Sequence, residues 1–371
     1  MRFVLFYHSL LSDWNHGNAH FLRGIAGELQ HRGHEVVVYE PRDAWSAKEL
    51  AADEGEDALE ATLRAYPALQ SVRYDPHSLD LDDVLDDADV VVVHEWNTHA
   101  LVRRIGDHRR RGGRYALFFH DTHHRSVSDP GSMSAYDLSN YDGVLAFGNV
   151  IRDRYLAHGW AARAWTWHEA ADTRVFSPRE HQGAKRDLVW IGNWGDDERT
   201  HELETFLLDP VHDLELTATV HGVRYPDDAR ASLSRAGIRY AGWLPNYEVP
   251  AVFAAHRVTV HVPRRPYVRA LRGIPTIRPF EALACGIPLV SAPWADEEGL
   301  FRPGLDYLVA ADGRAMRRHL REVLADEGLA ASLAQHGRET ILARHTCAHR
   351  VNELLAICAQ VTSRAREKVP A

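Results

Sequence analysis

Only three cysteines occur in 371 residues, and Cys285, Cys347 and Cys358 have neither metal-ligand nor disulfide-framework spacing. So few thiols suit a reducing compartment and exclude a disulfide-stapled scaffold. No run approaches the roughly 20 apolar residues that a membrane span requires. Met1 passes almost directly into an apolar strand at residues 3–7, without the longer apolar core and cleavage site of a signal peptide. The expectation is a cytoplasmic protein with no integral membrane segment. Positive charge is scarce too: 43 Lys and Arg stand against 52 Asp and Glu, a net charge of −9. With no basic tail and no aromatic–basic stripe, this balance argues against a nucleic-acid binder, although 24 histidines add charge near pH 6. No G-x-G-x-x-G follows any expected strand, so the dinucleotide fingerprint is missing and a dehydrogenase is disfavoured. Short repeats and low-complexity tracts are absent as well.

What is present is a chain too long for one ordinary core, with the 45% apolar and 26% charged content of a globular protein. β-branched and aromatic runs at 2–7, 35–39, 89–93, 115–119, 143–146 and 163–167 alternate with helical spacing at 18–32, 79–86, 98–111 and 150–158. A polar stretch at 172–186 interrupts the pattern. Strands at 188–191, 215–220, 238–241, 258–262, 289–291 and 307–309 then alternate with helices at 199–208, 228–236, 249–256, 280–285, 314–325, 328–336 and 348–364. Residues 43–88, acidic and poor in strand signals, read as a solvated helical insertion. Strands alternating with helices mean doubly wound parallel sheets. The expected organisation is an α/β chain of two Rossmann-like domains facing a cleft. They span residues 1–171 and 187–345, with a linker at 172–186. The segment 346–371 is a C-terminal helix expected to pack back on the first domain.

Open parallel sheets bind ligands beyond the carboxyl ends of their strands, so the loops there carry the candidates. After the first strand, Gly17 and Asn18 allow close backbone approach at a helix start. His120 and Asp121 end another strand, in the run His120-Asp-Thr-His-His-Arg125, with groups able to transfer protons. The same histidines have the composition of metal ligands, but no H-E-x-x-H or other closed set accompanies them, and no metal is expected. In the second half Gly192, Asn193 and Arg199 follow one strand and His221 the next. Arg264, Arg265, Arg269, Arg272 and Arg278 concentrate positive charge in an acidic chain.

The most informative stretch is Gly273-Ile-Pro-Thr-Ile-Arg-Pro-Phe-Glu-Ala-Leu-Ala-Cys-Gly-Ile-Pro-Leu-Val-Ser291. It reads as a loop, a short helix from Phe280 to Cys285 ended by Gly286, and a buried strand. Amides at Thr276, Ile277 and Arg278 sit at the helix N-terminus, where anions are attracted, and Arg278 adds a planar cation. Glu281, one turn inside, is placed to accept hydrogen bonds from sugar hydroxyls. The same residues also suit a plain core, with Phe280, Leu283 and Cys285 packed, Arg278 solvated and Glu281 offsetting the helix dipole.

Together these residues resemble glycosyltransferases of the GT-B fold, and more closely the CgeB-like (spore maturation protein) glycosyltransferases. The resemblance rests on Ile191-Gly-Asn-Trp-Gly-Asp-Asp-Glu-Arg199, the 273–291 stretch, Leu300-Phe-Arg-Pro-Gly-Leu-Asp-Tyr307 and Arg344-His-Thr-Cys-Ala-His-Arg350. It implies a hexosyltransferase, retaining in outcome, that takes a nucleoside-diphosphate sugar as donor and needs no cofactor. Glu281 then matches the second glutamate of an E-x7-E pattern and binds the ribose, while Thr276, Ile277 and Arg278 match the loop at the diphosphate. Gly192 and Asn193 face the nucleotide, with Arg199, His221 and Arg272 as further donor contacts. His120 takes the place of a group near the reacting sugar, with Gly17, Asn18 and Asp121 lining the cleft. The first glutamate of the pattern falls at position 273, which is Gly273. Two rivals remain: a non-catalytic nucleotide-sugar-binding protein, and an epimerase or hydrolase of similar shape.

Overall fold

A computed structural model describes residues 1–367 and, apart from residues 196 and 364–367, their side chains. The chain divides into two compact units, residues 1–169 with the segment from Cys347 onward, and residues 170–346. Residues 368–371 of the expected C-terminal segment lie outside the described residues.

The first unit is built on seven parallel strands. They are β1 (Arg2–Phe6), β2 (Glu35–Pro41), β3 (Ser71–Tyr74), β4 (Val90–His94), β5 (Ala116–Asp121), β6 (Gly143–Ala146) and β7 (Ala164–Thr166). Their spatial order is β3-β2-β1-β4-β5-β6-β7. β4 and β5 are buried along their whole length, which is why they read as continuous apolar runs rather than alternating ones. The helix Cys347–Glu367 joins this unit. Arg32 on the first helix binds Asn352 at 2.6 Å and the Ala348 carbonyl at 3.0 Å, and the Trp167 indole donates to the Arg350 carbonyl at 2.8 Å.

The second unit holds six parallel strands, β8 (Arg186–Ile191), β9 (Ala218–His221), β10 (Arg239–Tyr240), β11 (His256–His261), β12 (Leu289–Ser291) and β13 (Leu308–Val309). The order β10-β9-β8-β11-β12-β13 repeats that of the first sheet. In each sheet the strand order reverses between the first and fourth strands. Loops leaving those two strands therefore diverge and open a crevice, the usual ligand position in such folds.

Several local expectations need correction. The 43–88 region is not wholly helical, since it supplies the edge strand β3. Val72 and Arg73 there are exposed, so the strand lacks a strong apolar signature. β9 starts at Ala218 instead of residue 215, because Glu215 takes a left-handed conformation (φ 52°) that ends pairing. The last helix of the second unit runs from Glu327 to Arg344, well past residue 336. The key helix starts at Ile277, three residues earlier than expected, and takes Pro279 into its first turn. A missing N–H is harmless there, because first-turn amides have no partner within the helix.

Candidate functional site

The loops leaving β8 and β11 meet through arginine. Gly195 adopts φ 84°, and a β-carbon there would stand 2.6 Å from the Arg199 side chain. Glycine therefore lets the loop fold back over Arg199. The Arg199 guanidinium donates to the Asn193 carbonyl at 2.6 Å, the Asn193 amide oxygen at 2.7 Å and the Val262 carbonyl at 3.0 Å. It also lies 5.1 Å above the Trp190 ring. Arg264, from the loop after β11, donates to the same Asn193 oxygen at 2.9 Å and pairs with Glu198 at 2.8 Å. Among the described residues no carboxylate forms an ion pair with Arg199. Burial and the nearby Arg264 push its ionisation down to about 9. A cation held by carbonyls and crowded by like charge is electrostatically short of an anion.

Arg278 and Glu281 sit in the first turn of the Ile277–Cys285 helix and close on each other as an ion pair. Sequence placed them as separate ligands; the structure brings them into contact, with Glu281 fully buried. Ile277 is buried as well, so its side chain belongs to the core and only its amide is at the helix end. Thr276, which precedes the helix, has φ 63° and ψ 177°, a region almost reserved for glycine. A β-branched residue held there is a strained turn at the helix N-terminus.

His261, which ends β11, was missed from sequence. Its ring is buried, with Nδ1 bonded to the Ser291 hydroxyl at 3.0 Å and a further contact to the Pro275 backbone. Burial, Arg199 and Arg278 push its pKa down to about 3, so the ring is neutral among the arginines. A single histidine inside an apolar run in a chain this rich in histidine offers no contrast in sequence.

The remaining expected residues separate. Gly192 accepts from the Tyr225 hydroxyl at 2.8 Å, and its amide donates to the His221 carbonyl at 2.8 Å, so both line the start of the β8 and β9 loops. Burial holds the His221 ring down at about 4. Arg272 is exposed and pairs with Glu297 at 2.8 Å, and Arg265 pairs with Glu202 at 3.1 Å. Of the arginine cluster of the sequence, Arg264 joins Arg199 at the strand ends, Arg278 sits at the helix start, and Arg265 and Arg272 pair with carboxylates.

In the first unit, Gly17 and Asn18 open the helix Ala19–His31, and the Asn18 amide reaches the Thr122 carbonyl at 3.3 Å. His120 is 0% exposed, with its ring 4.8 Å from Trp167, 5.4 Å from His94 and 6.1 Å from Phe21. These rings enclose it at the end of β5, the strand end that sequence reasoning directed toward the cleft. Rings continue outward from His94 to His16 (6.2 Å), His8 (5.9 Å further) and Trp45 (4.9 Å further). Burial pushes His8 down to about 4, His16 and His120 to about 3, and His94 well below its ordinary value. Asp121 is buried beneath, bonded to the Tyr155 hydroxyl at 2.9 Å and the His123 amide at 3.1 Å. It faces Glu95; burial raises both carboxyls, and the charge of Asp121 raises Glu95 further. Among the described residues no three His, Cys, Asp or Glu are grouped so as to hold a metal.

Residues 199–356 match the family described as glycosyl transferase-like. The whole chain has the GT-B fold. It superposes on sucrose-phosphate synthase from Thermosynechococcus elongatus with a TM-score of 0.69, at 15% identity, covering 98% of this chain and 100% of that one. HepE from Anabaena, solved with UDP and glucose, gives 0.67 at 15% identity over 97% and 99% of the two chains. An alpha-glucosyltransferase (AGT) solved with UDP gives 0.70 at 12% identity over 97% and 100%. No curated protein matches the chain in sequence. Family match and fold together support a glycosyltransferase. No described helix is long and apolar enough to cross a membrane.

Proposed function

We propose that this protein transfers a hexose from a nucleoside-diphosphate sugar, with UDP as the leaving group, to an acceptor. The observation that carries the reading is that Arg199 and Arg264 share the Asn193 oxygen, while Arg199 and Arg278 both act on the buried His261 and Arg278 opens the helix that follows the strained Thr276 turn. Breaking the anomeric C–O bond places negative charge on the departing diphosphate. Arg199, with which no carboxylate among the described residues pairs, Arg278 and the amides of Ile277 and Arg278 stabilise that charge without a metal. The buried Glu281 serves the nucleotide by orienting Arg278. Retention of anomeric configuration follows from the resemblance of the 273–291 stretch. The UDP in HepE and AGT supports uridine as the donor base.

Incubation with UDP-glucose, UDP-galactose and UDP-N-acetylglucosamine, read by NMR, tests the reading. Release of UDP with transfer of the sugar to an acceptor supports it, the anomer formed reports the stereochemistry, and hydrolysis without transfer favours the hydrolase rival. Epimerised donor, or tight UDP binding with every donor left intact, would replace it by one of the two rivals.

A further inference from the structure

His261 ends β11 among links that ask for more hydrogens than a neutral ring supplies. Ser291, which ends the adjacent β12, donates its hydroxyl hydrogen to the Ala292 carbonyl at 2.7 Å, a group that only accepts. The serine oxygen is then left to accept from His261 Nδ1 at 3.0 Å. The ring also contacts the Pro275 backbone. Proline has no backbone N–H, so this contact is made to its carbonyl. With Nδ1 on Ser291, Nε2 is the nitrogen left for it. The links to Ala292, Ser291 and Pro275 each need a hydrogen. The hydroxyl and a neutral imidazole hold one each, and turning the hydroxyl toward Nδ1 only moves the deficit to Ala292. An imidazolium, which donates from both nitrogens, satisfies every link.

The surrounding charges oppose that form in the free protein. Arg199, from the loop after β8, and Arg278, in the first turn of the Ile277–Cys285 helix, both act against it, and the ring is buried. Arg278 is paired with Glu281, whereas no carboxylate among the described residues forms an ion pair with Arg199. The ring's other neighbours, Ser291 on β12 and the Trp294 ring 6.4 Å away, are uncharged. An anion held by these two arginines would offset their field at the ring.

We propose that His261 takes up a proton when the diphosphate of the donor binds, so that donor binding is linked to pH through this ring. The proton comes from solvent, and no bond of the donor changes in the step. The imidazolium then holds Ser291 and Pro275 together and fixes the turn that leads into Thr276. His261 is thus a positioning residue that touches no reacting atom. The inference rests on the nucleotide-sugar reading above and adds a proton to it.

The test is calorimetry of the full chain, in buffers of different ionisation enthalpy, with whichever of the three UDP-sugars above binds most tightly. A UDP-sugar is the probe because its diphosphate, esterified at both ends, lacks the phosphomonoester ionisation that UDP carries at about pH 6. Wild type is expected to take up about half a proton near pH 6 and to bind roughly three- to tenfold more tightly there than at about pH 8. In His261→Gln, which has no ring to protonate, the uptake and the pH dependence should vanish. In Ser291→Ala, which keeps the ring but removes the partner of Nδ1, both should shrink. Zero uptake or proton release by wild type, or equal uptake in His261→Gln, overturns the proposal while the nucleotide-sugar reading stands. Failure of wild type to bind any of the three UDP-sugars removes that reading and the proposal with it. Should neither variant melt like wild type, the wild-type proton count alone decides, with uptake supporting the proposal and its absence overturning it.

Discussion

The Arg278 guanidinium and the Glu281 carboxylate pair within one helical turn, with side-chain exposures of 16% and 0%. The acid is sealed and the base reaches water, so the two halves of the pair are not equivalent. Removing the arginine strands a buried charge, whereas neutralising the acid leaves a cation that water can solvate. Arg278→Ala is expected to cost about 3 kcal/mol of stability and Glu281→Gln about 1 kcal/mol, measured by urea unfolding. Equal losses would mean that Glu281 is less enclosed than described. Activity of Arg278→Ala is interpretable only beside that stability, and Arg278→Lys, which keeps a charge near Glu281, is the better kinetic variant.

Strain at Thr276 makes a prediction of opposite sign. Thr276→Gly removes a side chain from a conformation that disfavours it, and is expected to stabilise the protein by about 1 kcal/mol despite the added freedom of the unfolded chain. A destabilised variant in denaturant unfolding would show that the turn is not strained in solution.

Arg199 separates charge from geometry. Its fork serves four oxygens at once, which an ammonium group does not reproduce. Arg199→Lys is expected to weaken UDP binding about tenfold, and Arg199→Met about a hundredfold, by calorimetry. Wild-type affinity in the methionine variant would remove Arg199 from the diphosphate site.

The buried rings of the first unit predict acid lability. His8, His16, His94 and His120 all have pKa values below their ordinary 6.5 in the folded state. The unfolded chain therefore binds more protons as pH falls below 6.5, and stability declines toward pH 4, by up to about 1.4 kcal/mol per pH unit for each ring. Glu95 and Asp121 work the other way, since their raised values favour the folded state on acidification from neutral pH. Four protons oppose two, so the urea midpoint should fall between pH 7 and pH 5. A flat or rising midpoint would contradict this balance. Glu95→Gln, which mimics the protonated acid, should leave stability at pH 7 unchanged or higher.

Much of the architecture was legible because burial leaves period and composition behind. Val90–His94 announced itself as a strand covered on both faces, and Gly286 as a helix stop, which it is at φ 67° and ψ 32°. Edge strand β3 was not, because two exposed positions erase its apolar signal. The arginines near the nucleotide motif were visible as a cluster, but sequence gives no means of telling Arg199, held by carbonyls, from Arg272, spent on Glu297. His120 shows a related limit: a strand end fixes where a side chain starts, and Trp167 and Phe21, distant in sequence, decide that it is enclosed.

Titration calorimetry of the wild-type chain with UDP and with uridine tests the central claim most directly, because the two ligands differ only in the diphosphate. If Arg199, Arg278 and the Ile277–Cys285 helix end form an anion cradle, UDP should bind at least about a hundredfold more tightly than uridine. Uridine binding within a few-fold of UDP, or no heat from either, would contradict it.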